Sequence, residues 1–343
     1  MDALEYKYYM PYNLNNMVLS LDCLEMRIYN TINIEHNFEC LDIFDIFLND
    51  TNFMLEESDS KIKEIMTFQL SVFNKVASKY ISIDFNKWKK NENKDTPFIG
   101  LIGNEAIDFS DALPMNFIFS DVSSCDYNEL YSFTVVKNDN KKIFTIRDDI
   151  PAQYKHLIQD YNESICFIEK DELFNYFLYC ANIKSQNICS FNFMEQYLYI
   201  KEHIINNYYV LPKDNIFCGK MALLKLRDYI LELHTSNIEK ILSEKNKNLG
   251  INYLITKIKE IMGKRRIFLF SLNKNLDNFK FKANIRKCIT TLSKTTRYWL
   301  LFVSLFMQYA LTKLEKKHIE LIKAYDSILL YEEMFITELI DTE

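Results

Sequence analysis

Tyr131-Ser132-Phe133-Thr134-Val135-Val136-Lys137-Asn138-Asp139-Asn140-Lys141-Lys142-Ile143-Phe144-Thr145-Ile146-Arg147-Asp148-Asp149-Ile150-Pro151 is the stretch on which the reading of this chain turns. Two apolar, β-branched runs, Tyr131 to Lys137 and Lys142 to Asp148, flank Asn138-Asp139-Asn140, residue types that tolerate the backbone of a tight turn. The pattern predicts an antiparallel hairpin. The acidic pair beyond it leads to Pro151, whose fixed φ and missing N–H suit the first turn of a helix, and the chain beyond Pro151 is mostly 3.6-periodic. A lobe boundary is placed there. The expected fold class is α+β: an acidic mixed lobe with a small sheet over 1–150, then a larger, mainly α-helical lobe over 151–343.

Toward the N-terminus, Tyr80 to Phe85, Phe98 to Gly103 and Phe117 to Phe119 read as further strands, bounded by the polar stretch Lys89 to Asp95 and by Pro97 and Pro114. Lys61 to Lys79 reads as a helix capped by Ser60, with apolar residues at Ile62, Ile65, Met66, Leu70, Phe73 and Val76. Toward the C-terminus, Ser164 to Ile168 reads as a last strand. Helices are expected at Lys170 to Ile183, Phe191 to Tyr208, Lys220 to Lys245 and Asn252 to Met262. Ile267 to Leu272 fits either a strand or a helix end, and from Lys282 to Leu339 only helical patterning is visible, divided into two or three helices.

Five glycines and five prolines occur in 343 residues, where average usage would place roughly 24 and 17. Loops that wrap phosphates or hold a nucleophile on a sharp turn need Gly, because φ > 0 is costly for any residue with a Cβ. Nucleotide-fold chemistry is thereby disfavoured; Gly100-Leu101-Ile102-Gly103 is apolar and no Lys-Ser or Lys-Thr comes after it. Part of the scarcity is compositional, since seven Arg beside 34 Lys is the usage of an AT-rich gene. The five histidines are far apart and the eight cysteines contain no Cys-x-x-Cys, so neither a metal site nor a cofactor is expected. Reduced, buried thiols and an N-terminus without a basic region followed by an apolar run point to a cytoplasmic protein.

The net charge of −6 conceals an asymmetry. Residues 1–150 carry 25 acidic and 14 basic side chains, whereas 251–300 carry two acidic and 12 basic. This basic island over 257–297 includes Lys264, Arg265, Arg266, Lys280, Lys282, Arg286, Lys287, Lys294 and Arg297, together with Lys257, Lys259 and Lys274. Interleaved with Phe268, Phe270, Phe279, Phe281 and Tyr298, these cations are expected to neutralise phosphates while the rings stack on bases. A solvated helical face, or one that docks onto the acidic N-terminal lobe or a partner protein, would carry the same charges. Next comes the apolar run Tyr298 to Thr312. Its 15 uncharged residues fall short of the ~20 that span a bilayer, so a core helix is expected, with Ser304, Gln308 and Thr312 on one less apolar stripe. The acidic tail, Glu332-Glu333 with Glu338, Asp341 and Glu343, reads as the solvated face of a last helix.

Arg227-Asp228-Tyr229-Ile230-Leu231-Glu232-Leu233-His234 places an Arg and a His seven residues apart on an expected helix, close to two turns and so on one face. The motif resembles the Arg-x(4–6)-His pattern of HEPN-type helical ribonucleases over these eight residues. The resemblance implies that Arg227 and His234 are catalytic, cleaving RNA beside a 2′-hydroxyl, with a dimer bringing two motifs together. Two functional readings are open. One is a nucleic-acid-binding protein, RNA or DNA, that uses its basic and aromatic C-terminal surface and includes an RNA-cleaving helical domain. The other is a non-enzymatic interaction protein, a toxin, effector or assembly subunit, whose C-terminal lobe meets a partner protein, another copy of itself or a membrane surface.

Overall fold

The computed structural model describes residues 23–35, 44–68, 74–87, 98–102, 131–138, 142–146, 158–161, 165–169, 177–233 and 238–342. In chain order, α1 is Cys23–Glu35, β1 Phe53–Ser58, β2 Lys61–Thr67, β3 Ile81–Lys87, β4 Phe98–Ile102, β5 Tyr131–Asn138, β6 Lys142–Ile146, β7 Ile158–Tyr161, β8 Ile165–Glu169 and β9 Phe177–Ser185. Then come α2 Phe193–Tyr208, β10 Ile216–Cys218, α3 Gly219–Glu232, the short α4 Ile238–Ile241 and α5 Glu244–Lys247, and the long helices α6 Ile251–Lys274, α7 Lys282–Thr312 and α8 Glu315–Ile340. The class is α+β with a mainly helical C-terminal part. Two compact units share the chain, one within 1–44 and 72–191, the other from 45–71 and 192–343.

The first unit is built on a seven-stranded sheet of order β3-β9-β4-β5-β6-β8-β7, antiparallel at every described pairing. Helix α1 packs on β4, β5 and β9. Its buried Ile28, Tyr29 and Ile32, with Ile99, Val135 and Ile183 from the strands, supply the apolar layer between helix and sheet. The hairpin expected around Asn138-Asp139-Asn140 forms, with Val135 opposite Thr145 and Asn138 opposite Ile143. The sheet does not end at Pro151, however. Strands β7, β8 and β9 lie beyond it, and the two units part between Phe191 and Asn192. Of the helix expected over Lys170 to Ile183, the part from Phe177 is strand β9, and Lys170 to Tyr176 lie outside the described residues. That strand is held on both edges, by β3 and β4, and its run Phe177-Leu178-Tyr179-Cys180-Ala181 lacks the alternation that marks a half-buried strand. The expected strand Phe117 to Phe119 lies outside the described residues.

The second unit opens with a second correction. Lys61 to Thr67 is strand β2, not the start of a helix. Asp59 and Ser60 both adopt positive φ, 51° and 57°, the geometry of a two-residue hairpin turn whose twist matches the flanking strands. Glu56 pairs with Glu64 while Glu57 pairs with Ile62, so Lys63 is an extra, bulged residue. The bulge puts Ile62 and Ile65, three apart, on the same buried face. It thereby imitates helical spacing in a strand. β10 pairs with the other edge of β1.

Before β1 the chain runs through the core. Asp45 to Asn52 are all buried, and a buried loop must find internal partners for its backbone. Gln196 on α2 donates through Nε2 to Ile46 O at 3.2 Å and Leu48 O at 3.4 Å, and Asn49 Nδ2 donates to Phe68 O at 2.7 Å. Helix α2 itself starts where Asn192 accepts from the N–H groups of Met194 and Glu195. The expected single helix over Lys220 to Lys245 is instead α3, ending at Glu232, followed by α4 and α5. Ile267 to Leu272 is absorbed into α6. From Lys282 onward there are two helices, joined at Lys313 in the left-handed region (φ 54°). α7 and α8 pack antiparallel over rings: Trp299 meets Phe302 and Tyr325 edge-on at 6.0 and 5.8 Å, and Phe302 stacks on Phe306 at 5.8 Å.

Candidate nucleic-acid interface

Helix α7 has 31 residues and not one Asp or Glu. Its inward stripe, Ile285, Cys288, Leu292, Trp299, Phe302 and Phe306, is buried. The opposite stripe is exposed and changes character along its length: Arg286, Lys287, Thr290, Lys294 and Arg297 in the first half, Leu300, Leu301, Ser304, Met307, Gln308 and Leu311 in the second. From Arg286 to Arg297 is three helical turns, roughly 16 Å along the axis. Among the described residues, none of Arg286, Lys287, Lys294 and Arg297 closes an ion pair. Lys294 instead rests its Nζ 5.4 Å over the ring of Tyr331, which is stacked on Tyr298 at 5.2 Å.

At the N-terminal end of the stripe, Lys280 and Lys282 are exposed. Lys282 donates to Asp277, which lowers the Asp277 carboxyl through that hydrogen bond and through the charges of Lys282 and Arg286. Lys280 places Nζ 5.2 Å over the ring of Phe281. Asn284 ties this end of α7 to the last turn of α8 by donating to Asp341 O at 2.9 Å.

The rest of the island is not on this face. Lys264 and Arg265 are each only 1% exposed, which removes them from the expected nucleic-acid contacts. They fall on the inward stripe of α6 with Ile261, Phe268 and Leu272. The Arg265 guanidinium donates to Glu332 and to Ile261 O, and lies 5.5 Å over the ring of Trp299, whose Nε1 also donates to Glu332 at 2.9 Å. Glu332 is thus a buried counter-ion rather than part of a solvated acidic face; its neighbour Glu333 is exposed and pairs with Lys220 at 2.7 Å. Arg266 is half-buried and Lys259 exposed, both on α6. Lys257 pairs with Glu260, and Lys274 with Asp45 at 2.7 Å. Among the rings, Phe268 and Phe279 belong to the core, Phe279 packing against Phe193 and Tyr197. Phe281 is exposed.

Arg227 and His234 are not seen together, because His234 lies outside the described residues. Arg227 Nε donates to Asp326 Oδ1 on α8 at 2.6 Å, and that bond, with the carboxylate charge, raises the pKa of its guanidinium further. Helix α3 is tied to its neighbours at its C-terminal carbonyls: His318 Nε2 donates to Ile230 O and Tyr309 OH to Leu233 O, both at 2.8 Å.

One buried polar cluster has no counterpart among the residues singled out by sequence. Asp50 is fully buried; its Oδ1 accepts from Asn52 N and Nδ2, each at 2.8 Å, and its Oδ2 from Asn207 Nδ2 at 2.7 Å. Burial pushes the Asp50 carboxyl up to about 6, against the pull of these donors and of Arg265. The signal available in the sequence is the polar run Asn49-Asp50-Thr51-Asn52 between apolar segments, which resembles an ordinary surface turn. Cys218 and Cys288 are buried free thiols, pushed up by desolvation. Among the described residues no cluster of three or more His, Cys, Asp or Glu side chains could hold a metal ion, and no helix is long and apolar enough to cross a membrane. Compared with protein-family models and with curated proteins, the chain finds no match in either.

Proposed function

We propose that this protein binds nucleic acid through the exposed basic half of α7, with Arg286, Lys287, Lys294 and Arg297 meeting consecutive phosphates. The observation that carries this reading is four cations, uncommitted to ion pairs among the described residues, along one face of a helix that contains no acid. A face of one sign keeps its field over a polyanion, and each cation that meets a phosphate releases condensed counterions. The reading asks no chemistry of Arg227, which Asp326 engages.

The test is fluorescence anisotropy of short labelled strands and duplexes at a series of salt concentrations. Four contacts to a single strand predict a slope of log K against log salt of about −3. Changing Arg286, Lys287, Lys294 and Arg297 together to Gln is expected to weaken binding and flatten the slope. Absence of binding by the unaltered protein at low salt would sink the reading. The same RNA run on a denaturing gel, with His234→Ala beside it, tests cleavage.

A second reading rests on the other half of the same face. Leu300, Leu301, Met307 and Leu311 are exposed, Leu311 at 87%, and Leu314 stands next at the start of α8. Such a patch favours contact with a partner protein. Concentration-dependent association abolished by Leu311→Glu, in sedimentation velocity, would support self-association through it.

A further inference from the structure

We propose that the nucleic acid taken by this face is single-stranded, and that the ring of Phe281 is the platform on which one of its bases stacks. The inference rests on the nucleic-acid reading above and adds the form of the ligand. Phe281 stands at the N-cap position of α7, with φ −108° and ψ 72°. Two residues earlier Phe279 turns inward, 4% exposed, against Phe193 and Tyr197; Phe281 turns outward and is 48% exposed. Its surroundings along the turn, Asp277, Asn278, Lys280, Lys282 and Ala283, are exposed and mostly polar or charged. Among the described residues from Gly250 to Tyr298 no other large hydrophobic than Phe281 is exposed to the same degree, unlike the run of leucines at the far end of the helix.

A base offers what this position can use, a flat π-face on a flexible anionic backbone. Lys280 already lies 5.2 Å over the Phe281 ring, so a base sharing that ring would meet a cation beside its own phosphate. Arg286 and Lys287 lie within two turns along the helix. At the far end of the basic stripe a second aromatic element, Tyr298 stacked on Tyr331 with Lys294 above, closes the series. Cations bracketed by rings suit a strand whose bases can be splayed. In a duplex the base faces are occupied by their neighbours and only the edges reach the grooves. A ring at the end of a basic helix therefore gains nothing from a duplex and one stacking contact from a single strand.

The experiment compares Phe281→Ala, Phe281→Tyr and the four-fold Gln variant of α7 in anisotropy titrations. Single-stranded RNA, single-stranded DNA and a duplex of equal length are run side by side. Phe281→Ala is expected to weaken single-strand binding about tenfold, leave the salt slope unchanged and leave duplex binding unaffected; Phe281→Tyr is expected to retain it. Whichever of the RNA and DNA strands shows the Phe281 dependence is the one whose bases stack. If Phe281→Ala changes nothing while the Gln variant abolishes binding, stacking is refuted and the basic face stands. Equal weakening toward strand and duplex would also refute it, by making the ring a structural element of the turn. If the Gln variant binds as well as the unaltered protein, both readings fall together.

Discussion

Asp50, alone among amides, and the Arg265–Glu332 pair show how buried ionisable groups can be held on different terms. Asp50 has a folded-state pKa of about 6, raised from 3.8 by burial. The folded protein therefore binds the Asp50 proton more tightly than the unfolded chain. Its stabilising contribution is fully present below about 3.8 and is lost as pH rises through about 6, a change of up to about 3 kcal/mol. Urea denaturation at a series of pH values is expected to show that dependence, and Asp50→Asn to remove this part of it. In that variant Oδ1 still accepts from Asn52, and the Asn207 amide can turn to accept from the new amide. Arg265 and Glu332 are different, since each neutralises the other. Arg265→Met or Glu332→Gln alone strands a buried charge and is expected to lower stability by about 3–5 kcal/mol. The double variant Arg265→Met with Glu332→Leu is expected to lose less than the two singles summed. A fold that survives Arg265→Met should also bind nucleic acid unchanged, because that cation does not face solvent.

Among the elements, the junction of α2 with α3 is the most demanding. Gly219 has φ +50°, and a Cβ there would stand 2.4 Å from Tyr208 Cα and 2.5 Å from Asn207 O. Both obstacles are backbone and cannot rotate away. Gly219→Ala is expected to destabilise by about 3 kcal/mol or more, read as a lowered urea midpoint. The same junction carries Asn207, the donor to Asp50, so the glycine also holds the buried cluster in register. Helix α7 is held less by its ends than by its inward stripe, because Trp299, Phe302, Phe306 and Tyr309 bury their rings against α8 and the α3 terminus. Its outward stripe is exposed.

For the whole molecule, the discontinuity of the second unit is decisive. Residues 45–71 contribute β1, β2 and the buried loop, and 192–343 contribute the rest. Contacts between those stretches are numerous: Tyr253 OH accepts from Ile65 N at 2.8 Å, Lys225 pairs with Glu57 at 2.6 Å, and Phe53 packs edge-on against Trp299 at 6.5 Å. A chain beginning at Asn192 is expected to show no cooperative thermal transition by circular dichroism. Residues 45–71 joined to 192–343 by a flexible Gly/Ser linker are expected to restore one. A cooperative transition in the shorter chain would show that the loop and hairpin are dispensable.

What the sequence determined by itself was local. The hairpin at Asn138-Asp139-Asn140, the strands near Tyr80, Phe98 and Ser164, the helix α2, the first half of α6, the helical patterning from Lys282 to Leu339 and the stripe of Ser304, Gln308 and Thr312 all come from periodicity and turn residues within a short window. Tertiary structure decided the rest. Lys61 to Thr67 became a strand because β1 and β10 supply its sheet and a bulge at Lys63 disguises its period. β9 became a strand because β3 and β4 lie on either side of it. Lys264 and Arg265 look like any surface cations, and Glu332 like any tail acid, until α6 and α8 both pack on α7 and bring Arg265, Glu332 and Trp299 together. The charge of a side chain is written in the sequence, but whether water or a counter-ion neutralises it depends on residues far along the chain, and only packing brings those together.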